Sequence, residues 1–424
     1  MEIIRIQGGQ KLSGKVGIRG AKNSALPLMV SSLLTEDQLT LDNLPQLADI
    51  STMEAILINH GVQVEWQRNG LDSSNLVRLN AENITNTTAD HDLVRKMRAS
   101  ILVLGPLLAR KGNARVSLPG GCAIGTRPVD IHLSGLSQLG AEITLVDGYV
   151  EANAPNRLRG SVLSLPFPSV GATENLMMAA TLATGTTVIK NAACEPEVED
   201  LARCLVKMGA NIQGIGTNKL EIEGEISLNG TKHSVIPDRI EAGTYAIAAA
   251  ITYGEVELQG VIPKHLETTL TILDQAGIKI QTTLNSVMIS ATKQILARDI
   301  ATSVYPGFPT DLQAQAMALM AIAEGPSVIR ETIFENRFMH VPELIRLGAN
   351  ITIKGPTAVV RGVKNLHGAP LMATDLRASS SLVIAGLAAK GETTVSQLHH
   401  IDRGYEKIEE RLSGLGAVIA REAV

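Results

Sequence analysis

One pattern of apolar and polar positions recurs six times along the chain. A run apolar nearly all round is followed by a second helical run, then a small residue with glycine, then an apolar–polar alternation. The glycines are Gly61, Gly140, Gly209, Gly277, Gly348 and Gly416, in phrases such as Lys207-Met208-Gly209-Ala210 and Arg346-Leu347-Gly348-Ala349. They recur roughly every 70 residues, the size of a βαβ-type unit with an added hairpin. Glycine just past a helix takes the left-handed backbone that closes it, and the alternation that follows predicts a half-buried strand. The apolar runs lie at 25–34, 100–109, 175–183, 245–251, 314–323 and 381–389. A helix apolar on every face belongs inside a core, so the pattern predicts buried helices ringed by sheets, the reverse of a sandwich with its sheet in the middle.

Six units divide into two sets of three, with a seam near Ser234-Val235-Ile236-Pro237. The reading is therefore α/β, with two similar domains and a cleft between them. Repeats alone also fit a solenoid that binds another protein. Composition narrows the choice. With 424 residues, 45% hydrophobic and 19% charged, the chain can bury two cores and is neither disordered nor collagen-like. A net charge of −4 and 2% aromatic residues argue against a general nucleic-acid surface. No apolar stretch is long enough to span a bilayer, and Met1 to Gly8 alternates instead of presenting a signal-peptide core, which predicts a cytoplasmic protein without a membrane partner.

Chemistry enters at the starts of the buried helices. Lys22, Arg98, Arg239 and Arg377 stand at or beside four of them, where a cation opposes the helix dipole unless an anion is present. Asp238, Glu241 and Asp375 could supply that anion within the protein; for Lys22 and Arg98 no acid lies in the same turn, which favours a bound phosphate or carboxylate. The second repeat is longer than the others by a glycine-rich loop, Pro119-Gly120-Gly121-Cys122-Ala123-Ile124-Gly125-Thr126-Arg127-Pro128. A loop carrying a thiol and a guanidinium on glycine joints suits a lid. Cys194 and Cys204, in or near the exposed helix of the third repeat, read as packing residues. The string Gly9 to Lys15 has phosphate-loop spacing, but Val16 stands where a metal-binding hydroxyl belongs and a strand follows, so a nucleotide triphosphatase is rejected. No metal motif is present.

Six strings taken together carry a resemblance. Gly20-Ala21-Lys22-Asn23, the Pro119 to Asp130 segment, Phe308-Pro309-Thr310-Asp311, Phe334-Glu335-Asn336-Arg337, Thr374-Asp375-Leu376-Arg377 and Asp402-Arg403-Gly404-Tyr405 resemble, in order and over the whole chain, the UDP-N-acetylglucosamine 1-carboxyvinyltransferase family. The resemblance implies the enolpyruvyl transferase fold, two inside-out α/β barrel domains at residues 22–236 and 1–21 plus 237–424, the N-terminal strand completing the second. It implies transfer of an enolpyruvyl group from phosphoenolpyruvate to the 3′-hydroxyl of UDP-N-acetylglucosamine in peptidoglycan synthesis, without metal or organic cofactor, by a fosfomycin target. Lys22, Arg98, Arg127 and Arg403 then match the residues around phosphoenolpyruvate, with Arg337 and Arg377 completing the basic lining. Asn23, Arg127, Pro128, Val129, Asp130, Ile131, Ser169, Val170, Asp311, Ile333 and Asp375 match the UDP-sugar site. Cys122 matches the proton donor and Asp311 the base, with Lys22 and Arg403 beside them in catalysis. Some members carry a lysine two residues before Ser169, where this chain has Phe167. Transfer to shikimate 3-phosphate is the related alternative, disfavoured by the cysteine-bearing loop. A silent paralogue that binds the sugar without turnover keeps the same residues.

Overall fold

A computed structural model describes residues 2–68, 75–95, 97–118, 129–291 and 294–423. The chain divides into two compact units, passing between them at Arg19/Gly20 and again at Ile236/Pro237. Each unit has its own hydrophobic core, and among the described residues there are six four-stranded sheets, three in each unit.

The third repeat shows how the sequence pattern becomes a unit. Strand Val162–Ser164 pairs in parallel with Thr186–Lys190, and the buried helix Val170–Ala180 makes the crossover. The outer helix Pro196–Lys207 follows, and then Asn211–Gln213 and Lys219–Glu223 form an antiparallel pair that docks on Thr186–Lys190. In Lys219–Glu223 alternate residues are buried, so one sheet face packs inward and the other meets solvent. The glycines after the outer helices, Gly61, Gly140, Gly209, Gly277, Gly348 and Gly416, all have φ between +90° and +105°. A side chain there would be strained, which explains the recurring glycine.

The inner helices expected from the apolar runs are observed at Lys22–Ser31, Leu104–Lys111, Val170–Ala180, Arg239–Ile251, Gln313–Met320 and Leu376–Ala388. Short 3₁₀ turns, Arg98–Val103 and Thr310–Leu312, lead into the second and fifth. These helices are buried on nearly every face. Most of their serines and threonines are tolerated because the hydroxyl donates back to a carbonyl one turn earlier, as Ser31 does to Leu28 at 2.7 Å and Thr244 to Ile240 at 2.8 Å, whereas Ser24 donates to the Asp200 carboxylate.

The two units differ in where their strands come from. The unit spanning Gly20 to Ile236 completes its first sheet with its own last strand, Lys232–Ser234, laid parallel on Gln38–Leu44. The other unit borrows from the start of the chain. Ser13–Gly17 pairs in parallel with Glu255–Gln259, and Glu2–Gln7 lies antiparallel between Glu392–Ser396 and Val418–Ala423, with Ile4 opposite both Val395 and Arg421. Ile4 and Ile6 are fully buried there. No helix is long and apolar enough to cross a membrane among the described residues.

Candidate active site

In the unit from Gly20 to Ile236, three inner helices present their N-terminal turns with site candidates on them. Gly20 allows the approach, since a Cβ there would sit 1.8 Å from the Asn43 carbonyl oxygen. Ala21 donates to the Ile236 carbonyl at 2.7 Å. Lys22 opens helix Lys22–Ser31 and is buried, with its Nζ 3.1 Å from Asp49 Oδ2. No acid lies in the same turn as Lys22, as the sequence reads, but another helix supplies one. Asp49 lies in the first turn of helix Ala48–Asn59 and reaches Lys22 through tertiary packing that spacing along the chain does not reveal. Asn23 is half-buried beside it.

Arg98 opens the 3₁₀ turn Arg98–Val103, which packs on helices Lys22–Ser31 and Val170–Ala180. His132, on helix Asp130–Gln138, is held down at about 4 by burial and secondarily by the charge of Arg98. Its Nδ1 lies 3.0 Å from the Asn175 side-chain amide, whose Nδ2 can only donate, so the ring is the tautomer protonated on Nε2. Val129 and Asp130 start that helix, and Ile131 is buried. Ser169 caps helix Val170–Ala180 by accepting from Ala172 N–H at 3.4 Å, with Val170 its first residue. Phe167, just upstream, is exposed. Cys122, Arg127 and Pro128 lie outside the described residues, as does the rest of the 119–128 loop.

In the other unit the chemistry centres on Asp311. Arg337 donates to its Oδ1 at 2.8 Å and Arg377 to its Oδ2 at 3.0 Å, both guanidinium groups being buried. Asp311 itself is about a quarter exposed, at 24%. Burial opposes the charge on Arg377, but Asp311, Tyr405 and Asp238 outweigh it and hold its proton more tightly than usual. Tyr405 is fully buried; its hydroxyl lies 2.9 Å from Thr244 Oγ1 and receives a bond from Gln315 at 3.3 Å. Asp375 caps helix Leu376–Ala388, its Oδ1 accepting from Arg377 N–H at 2.8 Å and Ala378 N–H at 3.1 Å. Arg403 ends the 3₁₀ turn Leu398–Arg403. Arg421 grips the neighbouring Asp402 at 2.6 Å and Glu409 at 2.8 Å, tying this turn to the last strand. His400 is lowered by burial, then by His399 and Arg403 against the opposing effect of Asp375, which places these groups in one electrostatic neighbourhood.

Ile333 follows strand Pro326–Arg330 and is tied to the Asp311 turn by a residue not singled out from the sequence, Glu331. The structure thus brings Asp311, Arg337 and Arg377 into direct contact, with Tyr405 behind them. Cys204 is buried and its thiol is pushed up to about 12 by burial, so it is inert; Cys194 is raised by burial too. Among the described residues no group of histidine, cysteine and carboxylate side chains is placed to hold a metal ion.

The family profile of EPSP synthase (3-phosphoshikimate 1-carboxyvinyltransferase) matches residues 6–412. The chain is 58% identical over 421 residues to the UDP-N-acetylglucosamine 1-carboxyvinyltransferase of Granulibacter bethesdensis, covering 99% of both chains. It is 57% identical over 422 residues to the enzyme of the same name from Acidiphilium cryptum, again with 99% of each covered. Among solved structures, the enolpyruvyl transferase NikO from Streptomyces tendae matches with a TM-score of 0.89 at 27% identity, over 100% of this chain and 99% of that one. An EPSP synthase from Acinetobacter baumannii matches over 100% of both chains with a TM-score of 0.76 at 18% identity, a likeness of fold. By its full-length identity to these relatives, the chain belongs to the UDP-N-acetylglucosamine 1-carboxyvinyltransferase family.

Proposed function

We propose that the chain transfers the enolpyruvyl group of phosphoenolpyruvate to the 3′-hydroxyl of UDP-N-acetylglucosamine, releasing phosphate, as the first committed step of peptidoglycan precursor synthesis in the cytoplasm. The observation that carries this is the 58% identity, end to end, to a transferase of that name. The residue chemistry fits. Phosphoenolpyruvate and a UDP diphosphate together concentrate negative charge, which Lys22, Arg98, Arg127 and Arg403 are suited to balance.

In the addition, the sugar oxygen bonds to C2 of the enol while a proton arrives at C3, giving a tetrahedral ketal. Asp311 accepts the hydroxyl proton and orients that hydroxyl, with Arg337 and Arg377 fixing its carboxylate plane. Cys122 supplies the proton to C3; a thiol with an ordinary pKa of about 8.5 is protonated at neutral pH, as a donor must be. In the elimination, the C2–O bond to phosphate breaks, a proton leaves the new methyl group and the double bond re-forms. Asn23, Arg127, Pro128, Val129, Asp130, Ile131, Ser169, Val170, Ile333 and Asp375 hold the UDP-sugar in this reading, the Asp375 carboxylate combining that task with its helix cap.

Phosphate release from phosphoenolpyruvate, followed with UDP-N-acetylglucosamine, with shikimate 3-phosphate and with neither, tests the assignment. Release that requires UDP-N-acetylglucosamine supports it. Release driven by shikimate 3-phosphate would assign the other acceptor, and none in any arm would make the chain a binding protein.

A further inference from the structure

Glu331 sits just past strand Pro326–Arg330 and is almost wholly buried, at 4% exposure, yet no cation is needed to explain it. Four donors converge on its carboxylate. Oε1 accepts from Thr302 Oγ1 at 2.9 Å, from Ile333 N–H at 2.8 Å and from Phe334 N–H at 3.2 Å. Oε2 accepts from Thr310 Oγ1 at 2.9 Å. Thr302 repeats the link, accepting from Thr332 N–H at 2.9 Å while its carbonyl accepts from Thr332 Oγ1 at 2.6 Å. A carboxylate with this many donors is a rigid node, because moving any one segment breaks bonds to the others and strands buried donors.

What the node joins gives it meaning. Thr310 is the residue before Asp311, and Ile333 and Phe334 begin the segment that leads to Arg337, which itself grips Asp311. Arg337 and Arg377 hold the Asp311 carboxylate itself, whereas Glu331 holds the side chain of the residue before it, Thr310. We propose that Glu331, acting through Thr310 and the Ile333 amide, is a positioning residue for the transfer reaction, setting the place of the Asp311 carboxylate relative to the Ile333 segment. This rests on the reading of Asp311 as the group that orients and deprotonates the acceptor hydroxyl. Glu331 touches no substrate in this account.

Thr310→Val keeps the side-chain shape and removes only the donor to Glu331, and Thr310→Ser restores it. A misplacement of about 1 Å can cost on the order of 100-fold in rate, so Thr310→Val, a partial release, should lower kcat about tenfold or more. KM for phosphoenolpyruvate should stay within about threefold, because its binding cations are not moved. Thr310→Ser should recover most of the loss. Glu331→Gln should also retain most turnover, since its oxygen serves the three donors on Oε1 and the Thr310 hydroxyl can turn to accept from the amide. Glu331→Leu should lose turnover by a larger factor than Thr310→Val, and Thr310→Val carries the test if that variant does not fold. A folded Thr310→Val with kcat within about threefold of the parent, or a loss that Thr310→Ser does not recover, overturns the proposal. A parent protein without turnover on UDP-N-acetylglucosamine would instead overturn the reading of the function, and this proposal with it.

Discussion

Lys22 shows how a single residue can serve two demands. Its ammonium is positioned for an anionic substrate in the proposed reaction and is also paired with Asp49, both side chains lying inside the protein. Removing one member of a buried pair costs roughly 3–5 kcal/mol, because the other charge loses an opposite charge beside it. Lys22→Ala should therefore melt well below the parent, and Lys22→Met combined with Asp49→Leu should regain much of that stability without regaining turnover. Melting curves and phosphate release on the same samples separate the two roles; an unshifted Lys22→Ala melt would mean that the pair contributes nothing. Buried histidines make a second residue-level prediction. Burial lowers both His132 and His340 to about 4. Between that value and the ordinary 6.5 or so, the unfolded chain holds a proton that the native protein does not. Stability should then fall as pH drops through this window, by up to about 1.4 kcal/mol per pH unit for each histidine. Melting temperatures measured from neutral pH downward should decline, with a shallower slope in His340→Gln; equal slopes would show that His340 is not held neutral.

At the scale of elements, the repeats were readable because the helices between sheets are apolar on every face and each outer helix ends at a glycine that needs positive φ. The 3₁₀ turns before the second and fifth inner helices were not readable, since Arg98–Val103 runs into the apolar stretch that follows it and Thr310–Leu312 carries no residue that distinguishes it from the first turn of an α-helix. Strand exchange was also invisible to periodicity. Glu2–Gln7 alternates like any other strand, and which sheet it joins depends on partners near the far end of the chain. The candidate site was legible where basic residues occupy helix starts, and in the motif that carries Asp311. Asp49, Glu331 and the Thr244–Gln315–Tyr405 network were not, because each acts by tertiary contact with no local signature. Asp375 gives the element-scale prediction. It caps Leu376–Ala388 through two backbone amides, so Asp375→Ala should cost about 1 kcal/mol, and Asp375→Asn, which can still accept, should cost less. Denaturant unfolding of the two variants checks the order, and equal midpoints would remove the cap from the account.

Among the described residues the molecule forms two units of three sheets each, and the two draw their strands from the chain differently. The segment from Gly20 to Ile236 supplies every strand of its own sheets, while the remainder depends on Ser13–Gly17 and Glu2–Gln7. A fragment of residues 20–236 should unfold cooperatively by itself, and a fragment of residues 237–424 should do so only when residues 1–19 are joined to it. Circular dichroism melts of the three fragments decide this, and a cooperative 237–424 fragment would contradict the role given to the N-terminal strands.

Product analysis tests the transfer reaction itself most directly. Phosphoenolpyruvate labelled with carbon-13 in its vinyl group is incubated with UDP-N-acetylglucosamine and the full-length protein, and the mixture is followed by NMR and mass spectrometry. The expected products are inorganic phosphate and a UDP-sugar carrying the labelled enolpyruvyl group on O3′ in equal amounts, with the diphosphate intact. Unchanged substrates, label attached elsewhere on the sugar, or phosphate formed without a labelled UDP-sugar would contradict it.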